Sequence, residues 1–175
     1  QSLIATKSNR IVRAASGRPV AEFGARRAQG NEAAVMGARA SYIAGCASTS
    51  CVLATQKYGV PASGTMAHSW VQMFDHEYDA FKAYCEKYPH QATLLIDTYD
   101  VLNSGLPNAI RAFKEILWPQ GIHSYGVRID SGDIADLTKK VRKILDEAGL
   151  PECKIVISNS LDEYLIQEIL RQGAC

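Results

Sequence analysis

With 175 residues, 47% hydrophobic and 21% charged, the chain is long enough to bury one sizeable core and is expected to form a single domain. A formal net charge of +1 without a basic stripe argues against a nucleic-acid or membrane-surface binder, so any anion must be held by a few local groups. Five cysteines with no C-x-x-C pair, and no apolar run of membrane-spanning length, exclude a disulfide scaffold and a transmembrane helix and point to reduced thiols in the cytoplasm.

In chain order, the periodicity predicts a helix over 3–15, a strand over 19–23 and helices over 32–44 and 50–58. A strand over 60–64 leads into a long helix over 67–88, followed by a strand over 93–97 and a helix over 107–118. A strand over 125–130 precedes the clearest helix, 133–148. Its apolar face is Ile134, Leu137, Val141, Ile144, Leu145 and Ala148, with Asp133 placed to cap it and Gly149 to stop it. A last strand, 154–158, is followed by a helix for which Ser160 and Glu163 suggest a capping box, with Leu161, Leu165, Ile169 and Leu170 on its buried face.

Strands and helices alternating at this spacing imply parallel pairing through βα crossovers, in a doubly wound sheet or a (β/α) barrel. No G-x-G-x-x-G fingerprint and no P-loop is present, which favours the barrel. A whole barrel needs about 250 residues, so five strands make an arc of one. The chain opens at Gln1 and closes at Cys175 just where another strand is due, as expected of a piece of a longer protein.

Catalytic groups of parallel α/β folds gather at the carboxyl ends of strands. There this chain places Phe23 with Arg26 and Arg27, Thr65 with His68 and Ser69, Asp97 with Asp100, Arg128 to Asp133, and Ser158 to Ser160. Each has a plain structural alternative: solvated charges for the arginines, turns for Asp97 and Asp100, a helix cap for Asp133. Taken together they suit an anionic sugar phosphate, with arginine forks for phosphate and carboxylates for ribose hydroxyls or a Mg²⁺ shell. His68 and Ser69 at a helix mouth would favour a neutral imidazole beside a phosphate. His68 and His76 fall on different helix faces, which disfavours a two-histidine metal site. No G-x-S-x-G elbow supports a hydrolase triad, and Cys51 reads as a small core residue rather than a reactive thiol.

Three motifs, Glu22-Phe23-Gly24-Ala25-Arg26-Arg27-Ala28-Gln29-Gly30, Gly64-Thr65-Met66-Ala67-His68-Ser69-Trp70 and Gly126-Val127-Arg128-Ile129-Asp130-Ser131-Gly132-Asp133, resemble nicotinate phosphoribosyltransferases. The similarity extends over nearly the whole chain but only to the middle of such an enzyme. The amino-terminal domain and the later strands with the 5'-phosphate loop lie outside it. The resemblance implies a type II phosphoribosyltransferase barrel, homodimeric in the full-length protein. It would join nicotinate and phosphoribosyl pyrophosphate into nicotinate mononucleotide and pyrophosphate for NAD biosynthesis, with ATP and Mg²⁺ as substrate or activator and no tightly bound organic cofactor. It further implies that His68 is phosphorylated, that Phe23 stacks on the pyridine ring, that Arg26 meets substrate anions, and that Arg128 and Asp130 hold the phosphoribosyl group.

Ser50 falls where the sister family acting on nicotinamide carries an aspartate, and a serine donates to a carboxylate that an aspartate would repel. The surrounding Ser48-Thr49-Ser50-Cys51 departs from the family's pattern, with serine and cysteine where glycine and a polar or small residue are expected. Thr65, Ser69, Asp97, Ser131, Asp133 and Asn159 complete the expected substrate-binding set, and no residue is assigned to a metal. The alternatives are a nicotinamide- or quinolinate-type phosphoribosyltransferase and a non-catalytic barrel fragment. The isolated segment is expected to turn over little or nothing.

Overall fold

The structure, a computed structural model, describes residues 1–175 and divides into two compact units. The first takes Gln1–Gly64 and Leu161–Glu168, the second Thr65–Ser160 and Ile169–Cys175. Both are α/β with parallel pairing. The five expected strands do not make one sheet: a two-stranded sheet lies in the first unit and a three-stranded sheet in the second.

In the first unit, α1 (Ser2–Ala14) packs on α2 (Asn31–Ile43), joined by a buried hydrogen bond from Ser8 Oγ to Ser41 Oγ. Val35 and Ala38 form a small core with Ala54 of α3 (Val52–Tyr58). The sheet pairs β1 (Ala21–Glu22) with β2 (Ser48–Thr49) in parallel, Ala21 opposite Ser48 and Glu22 opposite Thr49. The strand expected over 60–64 is reduced to one bridge, Ala62 to Thr49. β2 was not anticipated, because two polar residues carry no apolar period. At the start of α8 (Glu163–Arg171), the capping box of Ser160 and Glu163 does not form. Asp162 caps instead, its Oδ1 accepting from the N–H groups of Tyr164 and Leu165 at 3.0 and 2.8 Å, while Glu163 pairs with Lys7 and Arg10 of α1. Leu165, expected inside, is exposed.

The second unit is built on β3 (Thr93–Leu95), β4 (Gly126–Ile129) and β5 (Lys154–Ile157), parallel and in that order. Leu94, Leu95, Ile96, Val127 and Ile129 are fully buried, as expected of parallel strands covered by crossover helices. The connection from β3 to β4 runs through α6 (Leu106–Ala112), flanked by π-turns at Val101–Gly105 and Phe113–Leu117. Phe113 stacks on Tyr125 with ring centroids 4.4 Å apart. From β4 to β5 it runs through α7 (Ile134–Glu147), where Asp133 accepts from the Asp136 N–H as expected of the cap, and Ile134, Val141 and Leu145 are buried.

The long helix expected over 67–88 is two helices, α4 (His68–Val71) and α5 (Glu77–Lys87). Trp70 and Phe74, which supplied the first half of the apolar period, instead form a tilted ring pair, and the Trp70 indole N–H donates to the Ala80 carbonyl. Glu77 and Asp79 in the first turn of α5 mark a fresh helix start. Cys85 and Cys153 are buried free thiols whose pKa values burial pushes up to about 12, which leaves them inert.

Candidate functional site

Strand alternation makes the site of the second unit. Val127 and Ile129 point into the core, so Arg128 and Asp130 share the opposite face of β4. Leu95 pairs with Arg128, and Arg128 with Val156. Two residues further along each strand, Asp97, Asp130 and Ser158 therefore stand in one row at the carboxyl edge of the sheet.

Arg128 is the hub of that row. Its Nε donates to Ser158 Oγ at 2.8 Å, one terminal nitrogen to Thr65 Oγ1 at 2.8 Å and the other to Asp130 Oδ1 at 3.0 Å. Ser158 Oγ also donates to Asp130 Oδ1. Burial raises the Asp130 carboxyl, but the Ser158 hydroxyl, the Arg128 guanidinium and the His68 ring together outweigh it and hold the carboxyl below its ordinary value. A lowered carboxylate contributes stability that is complete above the unfolded value and is lost as pH falls through the folded one. Melting curves between neutral pH and about pH 3 should therefore show less acid sensitivity in Asp130→Asn than in the unaltered chain; equal slopes would contradict the assignment.

His68, the first residue of α4, carries its ring to Asp97, with Nε2 3.1 Å from Oδ1. Asp97 Oδ2 accepts from the Asp130 backbone N–H at 2.8 Å and from the Ser131 hydroxyl at 2.6 Å. The Asp97 side chain is 1% exposed and all three of these contacts use it as an acceptor, so Nε2 is the His68 nitrogen that donates to it and Nδ1 is the one Asp97 does not engage. The ring is 41% exposed and open to a reactant. A four-residue helix supplies little dipole, so the carboxylate of Asp97, rather than the expected helix mouth, sets the orientation of this imidazole.

A second polar cluster lies in the first unit. Glu22 Oε1 accepts from the Gly24 N–H at 2.5 Å and Oε2 from Thr49 Oγ1 at 2.6 Å. Thr49 Oγ1 in turn accepts from the Cys51 N–H at 3.0 Å, and Ser50 N donates to the Glu22 carbonyl. This places Phe23 and Ser50, both exposed, on adjoining loops. Arg26 is exposed on the 3-10 turn Ala25–Arg27 that follows.

Of the expected site residues, Thr65, His68, Asp97, Arg128, Asp130 and Ser131 come together in the second unit. Ser69 and Asn159 are exposed there, Asn159 with a positive φ of 110° at the end of β5, and Asp133 is engaged as the α7 cap. Phe23, Arg26 and Ser50 belong to the first unit. Ser158, which ties Arg128 to Asp130, was placed at its strand end by sequence but given no part in the binding set; strand parity from Val156 was the available signal for that part. No cluster of three or more His, Cys, Asp or Glu side chains is arranged to hold a metal ion. A separate cavity of about 640 Å³ lies beside Glu77, Tyr99, Asn108 and Arg111. The Glu77 carboxyl there is pushed up by burial against the pull of the Ser104 and Asn108 hydrogen bonds.

The family model for the nicotinate phosphoribosyltransferase (NAPRTase) family matches residues 19–174. A nicotinate phosphoribosyltransferase of Bacillus subtilis is 48% identical over 174 residues, covering 99% of this chain and 35% of the relative. The human one is 30% identical over 227 residues, covering 99% of this chain and 42% of the relative. The chain thus spans about a third of the length of the bacterial relative and less than half of the human one. The crystal structure of human nicotinic acid phosphoribosyltransferase superposes with a TM-score of 0.84 at 30% identity, over 99% of this chain and 45% of that one. Nicotinate-nucleotide pyrophosphorylase from Pyrococcus furiosus does so with 0.80 at 28% identity, over 98% and 44%. The motifs, the parallel α/β units and these matches agree: the chain belongs to the nicotinate phosphoribosyltransferase family.

Proposed function

We propose that this chain is the central catalytic segment of a nicotinate phosphoribosyltransferase, an arc of a (β/α) barrel that the rest of a full-length, homodimeric protein completes. The observation that carries the reading is the continuous network from His68 through Asp97 to Asp130, Arg128 and Thr65 at the carboxyl edge of one parallel sheet, in a chain of this family. The five free cysteines fit a reducing cytoplasm.

In the reaction, the ring nitrogen of nicotinate forms a bond to the anomeric carbon of phosphoribosyl pyrophosphate while the bond to pyrophosphate breaks, the electron pair leaving with the pyrophosphate. The nitrogen is a nucleophile with its own lone pair and becomes a pyridinium, so no general base is needed. The developing oxocarbenium-like centre resembles that of glycoside cleavage. The chain's task is positioning and charge. Phe23 stacks on the pyridine, Ser50 donates to its carboxylate and Arg26 meets substrate anions. Both hydrogen bonds to Asp130 fall on Oδ1, so Oδ2 serves the ribose hydroxyls, while Arg128 places positive charge beside the phosphates. Mg²⁺ enters with the pyrophosphate and triphosphate oxygens, as part of the substrates.

His68 Nδ1 takes the γ-phosphoryl group of ATP, ADP leaving, and hydrolysis of the phosphohistidine draws synthesis forward. In the full-length protein, His68→Ala should abolish stimulation by ATP while leaving some ATP-independent synthesis of nicotinate mononucleotide. An unchanged ATP response would remove His68 from this role. Assays with nicotinate, nicotinamide and quinolinate side by side test the substrate, and a preference for nicotinamide would overturn the part given to Ser50. The 175-residue segment alone is inactive on this reading, and steady product formation by it would refute that.

A further inference from the structure

We propose that Glu22 is a positioning residue that fixes the spacing of Phe23 and Ser50, and through it the affinity for the pyridine acid; the inference rests on the nicotinate pocket proposed above. The parallel ladder between β1 and β2 is only two residue pairs long and ends at Glu22 and Thr49. Immediately beyond it the chain delivers Phe23 on one side and Ser50 on the other. So short a ladder holds its ends apart or together only weakly.

The Glu22 side chain takes over where the ladder stops. One oxygen holds the Gly24 N–H beyond Phe23, and the other holds the hydroxyl of Thr49, which is fully buried and itself accepts from the N–H of Cys51 beyond Ser50. One carboxylate thus spans from residue 24 to residue 51, bracketing both substrate-facing side chains. Oε1 lies close over Gly24, 2.8 Å from where a Cβ there would sit. Both partners are donors: the Gly24 N–H has no other role, and Thr49, already accepting from Cys51, has its own proton to give. A glutamine amide would set an N–H₂ against one of them. Glu22 need not touch substrate, and it acts through the two loops it joins.

The test compares Glu22→Gln, Thr49→Val, Thr49→Ser and Phe23→Ala in the full-length protein, reading kcat and both KM values alongside melting temperature. Glu22→Gln and Thr49→Val should raise the KM for nicotinate about tenfold while the KM for phosphoribosyl pyrophosphate stays within about twofold, and Thr49→Ser, which keeps the hydroxyl, should restore nicotinate KM. A merely structural role would lower the folded fraction, and so the apparent kcat, with both KM values unmoved. The proposal is overturned if folded Glu22→Gln and Thr49→Val keep the normal nicotinate KM while Phe23→Ala raises it. Should Phe23→Ala itself leave that KM unchanged, the pocket reading falls and this proposal with it. If Glu22→Gln does not fold, the contrast between Thr49→Val and Thr49→Ser decides.

Discussion

Replacing Arg128 by lysine in the full-length protein is expected to lower kcat/KM for phosphoribosyl pyrophosphate by about 10²–10³-fold, the loss typical of one preorganised charge-stabilising donor. Lysine preserves the positive charge but not the planar fork. In the structure that fork reaches three different partners, Ser158, Thr65 and Asp130, from a side chain only 14% exposed. An ammonium at the same depth serves one or two of them and leaves the others short of a donor. Asp130 then loses part of what holds its carboxyl down, and Thr65 loses the contact that ties the segment before His68 to β4. Initial-rate kinetics with the melting temperature as a folding control check this. A folded Arg128→Lys enzyme within tenfold of the parent would show that charge alone suffices.

Gly105→Ala should have the largest effect on folding of any single methyl group added to the second unit. Its φ of −58° is ordinary helical backbone, so conformational freedom is not the issue. A Cβ there would lie 1.9 Å from the Ile96 carbonyl oxygen, 2.6 Å from its carbon and 2.8 Å from its Cα. These atoms are main chain at the end of β3, with no side-chain rotation to give way. Overpacking commonly costs 1–3 kcal/mol, and against rigid backbone the cost should exceed about 3 kcal/mol. For a chain of this size that corresponds to roughly 10 °C in melting temperature. Calorimetry or a circular-dichroism melt reads it directly, and a shift under about 2 °C would mean the π-turn repacks freely. Because Ile96 precedes Asp97, whatever fold survives should also show a disturbed His68–Asp97 pair.

How far such features were legible in the sequence depended on whether their cause was local. β4 and α7 were read correctly, because Val127 and Ile129 alternate with Arg128 and Asp130, and Asp133 is a cap whose partner is three residues away. β2 was invisible, since Ser48 and Thr49 are strand only by pairing with residues 27 positions earlier. The break between α4 and α5 was overrun because Trp70 in α4 and Phe74 beyond its end happen to keep helical spacing while packing on each other. At the site, the identities of His68, Arg128 and Asp130 carried the chemical reading, but the neighbour that orients His68 lies 29 residues away, and the serine that joins Arg128 to Asp130 lies 28 to 30 away. The register of β3, β4 and β5 supplies the serine, while the His68–Asp97 pair is a tertiary contact of α4 that no strand register sets. Of the five strands foreseen, three pair as β3, β4 and β5, the first pairs with the unforeseen β2, and the one over 60–64 is a single bridge.

The division of labour within Asp97 carries a thermodynamic obligation. Oδ1 meets the His68 ring while Oδ2 holds the backbone of Asp130 and the hydroxyl of Ser131. One fully enclosed carboxylate is thus shared between the imidazole and the loop after β4. Anything that draws Ser131 or the Asp130 amide away leaves more electron density for the imidazole, and a group attached to the ring changes how firmly that loop is held. Whatever free energy passes from the loop to the ring must pass back equally from ring to loop, so occupancy at one of these positions is a measure of affinity at the other.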